Sequence, residues 1–221
     1  MMLRSPAWRL TVVIAALSVL ASTIPSALSA LAWHREAMAD GQWFRLLTGH
    51  FVHLDTHHLL INLLGLAIVT DLLMERWQWN ALIGLLLGSA LGTSALLWWF
   101  APALVWYAGL SGVLHGLWSG AALCSLHQVQ HQPERRWSVL ALLALALKLG
   151  WLNHPSGSMP VVPSAHLFGA ISGLFFQYFL GSGDDFAKSI KIAGCQGALR
   201  RVFIRQAWQS VQRRSRYFFR V

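Results

Sequence analysis

Apolar residues in this chain are concentrated in six long runs, which are separated by shorter polar stretches. The runs cover residues 9–33, 58–74, 79–100, 103–126, 137–152 and 164–180. A helix needs about 20 apolar residues to cross about 30 Å of hydrocarbon, so the second, fifth and sixth runs are short. The pattern predicts an all-α, polytopic membrane protein with six transmembrane helices. Short runs beside polar loops also predict helix ends that stop below the membrane surface, around a wet cavity.

The composition strengthens this prediction and excludes an ordinary soluble domain. Hydrophobic residues make up 56% of the chain and charged residues only 11%, whereas globular proteins carry roughly 25% charge. The 12 tryptophans lie largely near the ends of the apolar runs, as expected for rings at a bilayer interface. Cys124 and Cys195 are far apart and are predicted to lie toward the cytoplasm, so a structural disulfide is not expected.

The basic residues predict the orientation in the membrane. Arg4 and Arg9 precede the first run and place the N-terminus in the cytoplasm, because loops rich in Lys and Arg stay inside. Six alternating spans then bring most other basic residues to the same side, which gives an N-in, C-in topology. A cleaved signal peptide is a competing interpretation of the first run, since residues 30–32 resemble a cleavage site. The run is longer than the usual apolar core of such a signal.

The chain is predicted to divide into a membrane core, residues 1–185, and a basic cytoplasmic tail, residues 186–221. Nine of the 17 Lys and Arg residues lie from Lys188 onward, and no acidic residue follows Asp185. The tail has apolar residues at helical spacing, namely Phe203, Ile204, Ala207, Trp208 and Val211. This pattern predicts an amphipathic helix on anionic lipid. Nucleic acid is the alternative partner for a basic tail, but the neighbouring spans and the tryptophan favour lipid.

Two outer connections differ in character. Residues 34–57 mix aromatic and aliphatic side chains with polar ones, so this loop is predicted to lie in the membrane interface. Residues 153–163 contain three prolines and one glycine, which exclude a regular helix. Their position beside the last span suits either a movable cap or an ordinary connector.

The stretch WYAGLSGVLHGLWSG, residues 106–120, holds the first candidate for chemistry. Ser111 follows Gly109 closely and begins an apolar helix in which Gly112, Gly116 and Gly120 recur at every fourth position. Small residues at this spacing form a flat face that allows another helix backbone to come close. The hydroxyl is compatible with a catalytic nucleophile and with a packing serine.

Four polar side chains are predicted to lie at one depth of the membrane. From the 1.5 Å rise per residue, Ser111 and His166 lie about 22 and 21 Å above the inner boundary. On the same basis His58 and Asn62 lie about 24 and 18 Å above it. Ionisable groups inside spans are functional candidates by default. Their convergence on one layer favours a site over scattered packing residues.

His166 is the predicted partner of Ser111. Gly169 and Gly173 follow it on roughly the same helix face, and this second small-residue face is expected to meet the one that begins at Gly112. The contact would bring the imidazole within hydrogen-bond reach of the hydroxyl, where it takes the proton on attack and returns it to the leaving amine. Neither helix contains Asp or Glu, so a dyad is expected and not a triad.

Acyl transfer also needs donors for the developing oxyanion. His58 and Asn62 lie one turn apart on one helix face, and Asn62 carries an amide donor. The backbone N–H of Ser111 is free to donate at a helix start. Helix–helix packing is the alternative role for His58 and Asn62. His115, one turn after Ser111, is interpreted as a packing or hydrogen-bonding partner of His166, because a residue on the same helix does not point at the serine oxygen.

The histidine-rich segment raises the alternative of a metal or haem site. His50, His53, His57 and His58 are close in sequence, but there is no HExxH motif and only Asp55 accompanies them as a carboxylate. No metal and no cofactor are therefore predicted.

Four sequence stretches together resemble the rhomboid intramembrane serine proteases. They are GQWFRLLT, HLLIN with His58 and Asn62, GLSG around Ser111 and AHLFG around His166, and in order and spacing they span residues 41–173. A GxSG motif alone is weakly specific, whereas the joint match is highly specific. The longer stretches LLTGHFVHL, WYAGLSGVLHGL and AHLFGA are similar in sequence to the rhombosortase branch of this family. That branch is associated with bacterial secreted proteins that carry a C-terminal GlyGly-CTERM tail.

The resemblance implies a six-helix rhomboid-like bundle with Ser111 as nucleophile and His166 as general base. It implies that His58, Asn62 and the Ser111 amide form the oxyanion hole. Arg45 matches a structural Trp-Arg position of the first outer loop.

The sequence departs from the family pattern in three places. Phe44 replaces the usual Trp before the arginine, and His115 stands where many rhomboids have a different aromatic residue. The basic tail lies outside the resemblance. The supporting positions predicted around the site are Gly109, Gly112, His115, Gly169, Gly173 and Arg45.

The sequence thus predicts a serine endopeptidase that cleaves a transmembrane or tail-anchored protein near the outer face of the membrane. The resemblance implies a multi-pass protein of the bacterial inner membrane, with its active site open to the periplasm and GlyGly-CTERM tails as substrates. The partners expected are this substrate, the bilayer and anionic lipid, with no nucleic acid. Two alternatives stay open: a catalytically inactive rhomboid-like binding factor and a metal- or haem-handling membrane protein. An inactive relative would normally lack the serine or the histidine, and this chain has both.

Overall fold

The computed structural model of the protein describes residues 5–74, 77–128, 132–152 and 162–182, and these residues are mostly helical. In chain order the elements are α1 (Pro6–Ser22), α2 (Ala27–Leu31), β1 (Trp33–His34), α3 (Arg35–Ala39), α4 (Arg45–Thr48), α5 (Thr56–Val69), α6 (Trp79–Phe100), β2 (Trp106–Tyr107), α7 (Ser111–Gln128), α8 (Gln132–Leu152) and α9 (Pro163–Ser182). α5 continues into a π-helical turn at Thr70–Met74.

Each of the six predicted spans overlaps one long helix, namely α1, α5, α6, α7, α8 or α9. Within the described part of the chain, two helical stretches are long and apolar enough to cross a membrane. These are Thr56–Met74 and Trp79–Phe100, with mean hydropathies of 1.6 and 1.8, while Pro6–Ser22 is apolar but shorter. The count of six crossings and the N-in, C-in orientation stay predictions.

Large apolar side chains are exposed along the outer surfaces of the long helices. Examples are Leu20, Leu64, Leu147, Phe175 and Tyr178, whose exposures lie between 59 and 75%. Soluble monomers rarely expose extended apolar surfaces of this kind. Such faces suit contact with lipid and agree with a membrane protein.

The first predicted span is interrupted, which corrects the sequence prediction. Residues 9–33 were expected to form one helix, but α1 ends at Ser22 and the short helix α2 follows. Pro25 lies in the break, and proline cannot donate the backbone hydrogen bond that a continuous helix needs. The chain therefore turns before it reaches β1.

The fourth predicted span is also shorter than expected. The sequence predicted a helix over residues 103–126, but α7 begins at Ser111. The residues before it include β2, which pairs antiparallel with β1 and places Tyr107 opposite Trp33. The all-α prediction therefore missed a small sheet. Two-residue strands are too short for a readable alternation of polar and apolar residues, and this pairing joins distant parts of the chain.

α7 is the central helix of the described bundle. Its side chains from residue 112 to 122 are buried, apart from the half-buried Trp118. It packs against α5, α6, α8 and α9. Because α7 is surrounded in this way, Ser111 at its start lies where several elements converge.

Residues 34–57 form a folded layer with short elements, and Arg45 holds part of it together. Its guanidinium is 7% exposed and donates to the carbonyl oxygens of Ser29 at 3.1 Å and Ala32 at 2.8 Å. It also donates to Gln42 Oε1 at 2.8 Å. Arg45 thus joins this layer to the segment before β1.

Arg35 closes the C-terminal end of α6. Its guanidinium donates at 2.9–3.0 Å to four backbone carbonyl oxygens, those of Leu97, Trp98, Ala101 and Leu104. Its Cζ lies 5.2 Å from the ring centroid of Trp33 and 4.9 Å from that of Trp98. The last carbonyls of a helix lack partners within the helix, so Arg35 ties this end of α6 to β1.

Three sequence predictions lie wholly or largely outside the described residues. They are the cap at 153–163, of which the structure describes only the last two residues, the amphipathic tail at 186–221, and the domain boundary at residue 185.

Candidate active site

Ser111 and His166 meet at the N-terminal ends of two neighbouring helices. Ser111 is the first residue of α7, and His166 lies in the first turn of α9. Ser111 Oγ and His166 Nε2 are 2.8 Å apart, a distance typical of a strong hydrogen bond. The structure thus brings together the two side chains that the sequence paired.

Glycines on α7 and α9 allow this approach. A Cβ on Gly169 would collide with the carbonyl oxygen of Gly112, and a Cβ on Gly173 would collide with that of Gly116. In the opposite direction, a Cβ on Gly116 would lie 2.8 Å from the Gly169 carbonyl oxygen. The two backbones are therefore in direct contact, which sets the depth of His166 relative to Ser111.

His115 stacks on the ring of His166. The two ring centroids are 4.2 Å apart and the planes are inclined by 14°. His115 Nδ1 lies 2.6 Å from the Ser111 carbonyl oxygen, and because a carbonyl only accepts, Nδ1 carries the proton. The hydrogen bond of His115 thus goes to the Ser111 backbone. It reaches neither the Ser111 hydroxyl nor His166, so stacking is its contact with His166.

A carboxylate does not orient the histidine within the part of the chain that the structure describes. His166 Nδ1 is buried and has no hydrogen-bond partner among those residues. The geometry is that of a serine–histidine dyad in which an aromatic neighbour positions the imidazole.

The turn that leads into Ser111 is held by Tyr107. Its hydroxyl donates to the Gly109 carbonyl oxygen at 2.6 Å and accepts from the Gly112 N–H at 3.1 Å. Gly109 has φ = +120°, a conformation that glycine adopts readily and other residues rarely do. Burial raises the pKa of the Tyr107 hydroxyl, while hydrogen bonds with Gly112 and Ser111 oppose the rise. The hydroxyl therefore stays protonated at neutral pH.

His53 holds the other end of the same turn. Its Nε2 accepts from the Leu110 N–H at 3.5 Å, the limit of a hydrogen bond. Burial lowers the pKa of His53 to about 4, assisted by the neighbouring charge of His58 and opposed by Asp55. The imidazole is thus neutral above that pH, and its Nε2 can accept.

The two predicted oxyanion residues lie beside this turn. Asp55 caps α5 by accepting from the His58 N–H at 2.7 Å, which fixes the start of the helix. A Cβ on Gly109 would lie 2.6 Å from His58 Cε1, so the imidazole packs directly over the turn. Asn62 Nδ2 donates to the His58 carbonyl oxygen at 3.0 Å. This bond uses one of its two amide hydrogens.

His50 belongs to the folded layer of residues 34–57 and not to the dyad. Its Nε2 donates to the Ala90 carbonyl oxygen at 3.0 Å and lies 3.1 Å from Ser94 Oγ, which ties the layer to α6. Burial lowers the pKa of His50 to about 4. Among the described residues, no group of three or more His, Cys, Asp or Glu side chains is arranged to hold a metal ion.

Two functional contacts were missed at the level of sequence, those of Tyr107 and Arg35. Tyr107 stands beside the GLSG motif, which is the only signal that marked it. Its contacts depend on the turn at Gly109 and on strand pairing, neither of which follows from residue spacing. The role of Arg35 depends on where α6 ends. The sequence predicted this end correctly, but it did not predict which side chain bonds to the last carbonyl oxygens of the helix.

Comparison with known protein families shows to which family the chain belongs. Residues 40–183 match the Rhomboid domain, which is more than half of the chain. The chain belongs to the rhomboid family. Rhomboid-family proteins are typically intramembrane serine proteases that act on membrane protein substrates in the bilayer, and inactive homologues exist. No curated protein matches the chain significantly.

Proposed function

We propose that this rhomboid-family protein is an active intramembrane serine endopeptidase, with Ser111 as nucleophile and His166 as general base. The observation that carries the proposal is the 2.8 Å contact between Ser111 Oγ and His166 Nε2. A nucleophile and base within hydrogen-bond reach are the geometric signature of nucleophilic catalysis. Inactive homologues are the competing possibility, and the presence of both side chains in contact favours activity.

The reaction follows the logic of acyl transfer. Ser111 Oγ attacks the scissile carbonyl carbon while His166 Nε2 accepts the hydroxyl proton. The tetrahedral intermediate collapses, the C–N bond breaks, and His166 returns the proton to the departing amine. Water then attacks the acyl-enzyme with His166 again as base, which releases the carboxylate product and the free serine.

The oxyanion is proposed to be stabilised by three groups. The N–H of Ser111 lies in the first turn of α7, where amides have no acceptor within the helix. Asn62 has a second amide hydrogen besides the one bonded to His58. His58 contributes its ring beside the turn at Gly109. Loss of one such donor typically costs about 2.7–4 kcal/mol of transition-state stabilisation.

The finer setting is inferred from sequence. Six spans with N-in, C-in topology would place the dyad in the outer half of a bacterial inner membrane, open to the periplasm. The similarity to rhombosortases supports GlyGly-CTERM tails of secreted proteins as substrates, and the basic tail is proposed to bind anionic lipid. These proposals rest on the distribution of Lys and Arg along the chain and on the amino-acid sequences of the motifs.

Replacement of the proposed nucleophile tests the activity. We expect Ser111→Ala to lower cleavage of a membrane-anchored reporter by more than about 1,000-fold, because the acyl-enzyme no longer forms. The reporter carries Gly-Gly, an apolar segment and a basic end, and cleavage is measured in proteoliposomes with mass spectrometry of the products. Ser125→Ala is the matched control, since Ser125 lies on the same helix about 21 Å away. Equal cleavage by Ser111→Ala and the wild-type protein would overturn the mechanism.

The substrate class is tested with a second reporter in which Val-Val replaces Gly-Gly. We expect only the Gly-Gly reporter to be cleaved. If both are cleaved equally and Ser111→Ala abolishes both, the protease assignment holds and the GlyGly-CTERM proposal fails.

A further inference from the structure

We propose that Tyr107 is a positioning residue that holds the backbone on both sides of Ser111 in the shape required for oxyanion stabilisation. This inference rests on the proposed protease function and extends it to a residue outside the dyad and the oxyanion donors. The hydroxyl bonds main-chain groups on both sides of the serine, besides an interaction with the Ser111 side chain.

The first support is that one hydroxyl bridges the serine. Tyr107 Oη donates to the carbonyl oxygen of Gly109 and accepts from the N–H of Gly112, at 2.6 and 3.1 Å. The residues bonded in this way lie two positions before and one position after Ser111. The bridge therefore fixes the backbone across the nucleophile.

The second support is that the peptide unit between Gly109 and Leu110 is held at both ends. Its carbonyl oxygen is bonded to Tyr107, and its N–H is bonded to His53 Nε2 at 3.5 Å. Gly109 lacks a Cβ and has φ = +120°, so rotation of this peptide meets little intrinsic resistance. The two side chains supply the restraint that glycine does not, and they fix the position of Leu110, whose carbonyl shares a planar peptide unit with the Ser111 N–H.

The third support is that the backbone N–H groups on either side of Ser111 already have hydrogen-bond acceptors. The N–H groups of Leu110 and Gly112, which flank that of Ser111, are bonded to His53 and Tyr107. Neither bond uses the Ser111 N–H, which is the backbone donor proposed for the oxyanion. The N–H groups of Leu110 and Gly112 are thus engaged in hydrogen bonds. The same bonds hold the backbone that determines the direction of the Ser111 N–H.

Tyr107 itself is rigidly placed. It is 3% exposed, it is part of the two-stranded sheet opposite Trp33, and its ring lies 5.7 Å from that of His50 in an edge-on contact. A phenylalanine would retain these ring contacts and lose only the hydroxyl. Tyr107→Phe therefore tests the hydroxyl apart from the packing of the ring, and the His53 variants test the backbone anchoring separately.

The experiment measures kcat and KM for reporter cleavage, together with the rate at which a fluorophosphonate labels Ser111. We expect Tyr107→Phe to lower kcat roughly tenfold, because a misaimed oxyanion donor affects the transition state, and to change KM less than twofold. Labelling should slow to a similar extent, since phosphonylation builds up the same negative charge. Tyr178→Phe is the matched control, because Tyr178 is an exposed tyrosine of α9, and it should behave as wild type.

Unchanged kcat and labelling in a folded Tyr107→Phe protein, or a rise in KM alone, would overturn the inference. If this variant does not fold, His53 provides the second test. His53→Gln keeps an acceptor for the Leu110 N–H, so it should retain several-fold more activity than His53→Ala, and equal activities would overturn the anchoring of this peptide. A wild-type protein that neither cleaves nor is labelled would instead refute the proposed protease function.

Discussion

At the scale of single residues, the imidazole of His166 is positioned without a carboxylate among the described side chains. One nitrogen faces Ser111 Oγ at 2.8 Å, and one ring face lies against His115 at a centroid distance of 4.2 Å. Aromatic stacking is worth about 0.5–1.5 kcal/mol, which is enough to favour one ring orientation. His115 is anchored in turn through its bond to the Ser111 carbonyl oxygen. The dyad and His115 thus form a set of three residues in mutual contact on two helices.

This arrangement predicts different losses for the two histidines. His166→Ala should lower reporter cleavage by about 1,000-fold or more, since the base is lost. His115→Ala should lower it only about tenfold, because only the orientation of the base suffers. His115→Phe keeps an aromatic face and should retain more activity than His115→Ala. Steady-state kinetics in detergent measure all three, and an equal loss in His115→Ala and His166→Ala would contradict a purely orienting role for His115.

At the scale of elements, the contact between α7 and α9 determines whether the dyad forms. Gly112 and Gly116 on α7 face Gly169 and Gly173 on α9, with backbone touching backbone. Small residues also allow α6 to approach, since a Cβ on Gly92 would lie 2.5 Å from Ser172 Oγ. Helices in lipid associate through close packing of this kind and not through the hydrophobic effect. The glycine spacing is therefore part of the site.

Adding one methyl group at this contact should separate the helices. Gly173→Ala places a Cβ against the Gly116 carbonyl oxygen, and we expect it to destabilise the protein by roughly 1–3 kcal/mol and to reduce cleavage strongly. Thermal unfolding and reporter cleavage in the same detergent provide the measurements. Gly150→Ala on α8 is the matched control, because a Cβ there meets nothing within 4 Å. Wild-type stability and activity in Gly173→Ala would contradict the close backbone contact.

At the scale of the whole molecule, buried and half-buried side chains of the layer formed by residues 34–57 join the helices. Arg35 ties β1 to the end of α6, Arg45 ties α4 to the segment before β1, and His50 ties the layer to the middle of α6. On the other side of the bundle, the hydroxyls of Thr11 and Thr70 join α1 to the π-helical turn at 2.6 Å. These contacts hold the scaffold in which α7 and α9 meet.

The buried histidines of this layer predict a pH-dependent stability. Burial lowers the pKa of His50 from 6.5 to about 4, so the folded protein keeps the ring neutral while the unfolded chain takes up a proton below pH 6.5. Stability is therefore lost as the pH falls from about 6.5 to 4, by roughly 2 kcal/mol at pH 5 for this residue alone. Melting temperatures between pH 7.5 and 5 measure the effect. His50→Gln retains a donor for the Ala90 carbonyl oxygen and should flatten the curve, and an unchanged slope in this variant would exclude His50 as the source.

The membrane character, the family and the pairing of Ser111 with His166 follow from the sequence. Long apolar runs predict helices directly, and glycines at every fourth position indicate the helix faces that approach each other. Pro25 lies within the first apolar run, and a proline inside such a run is the local signal of the interruption.

Other features depend on the tertiary structure. The start of α7 at Ser111, the pairing of β1 with β2, the bridge made by Tyr107 and the stacking of His115 on His166 each join residues that no periodicity links. Local patterns determine which segments become helices, because each segment must satisfy its own backbone hydrogen bonds in the bilayer. Which hydroxyl bonds to which amide depends on turns and long-range packing, and only the folded arrangement determines these contacts.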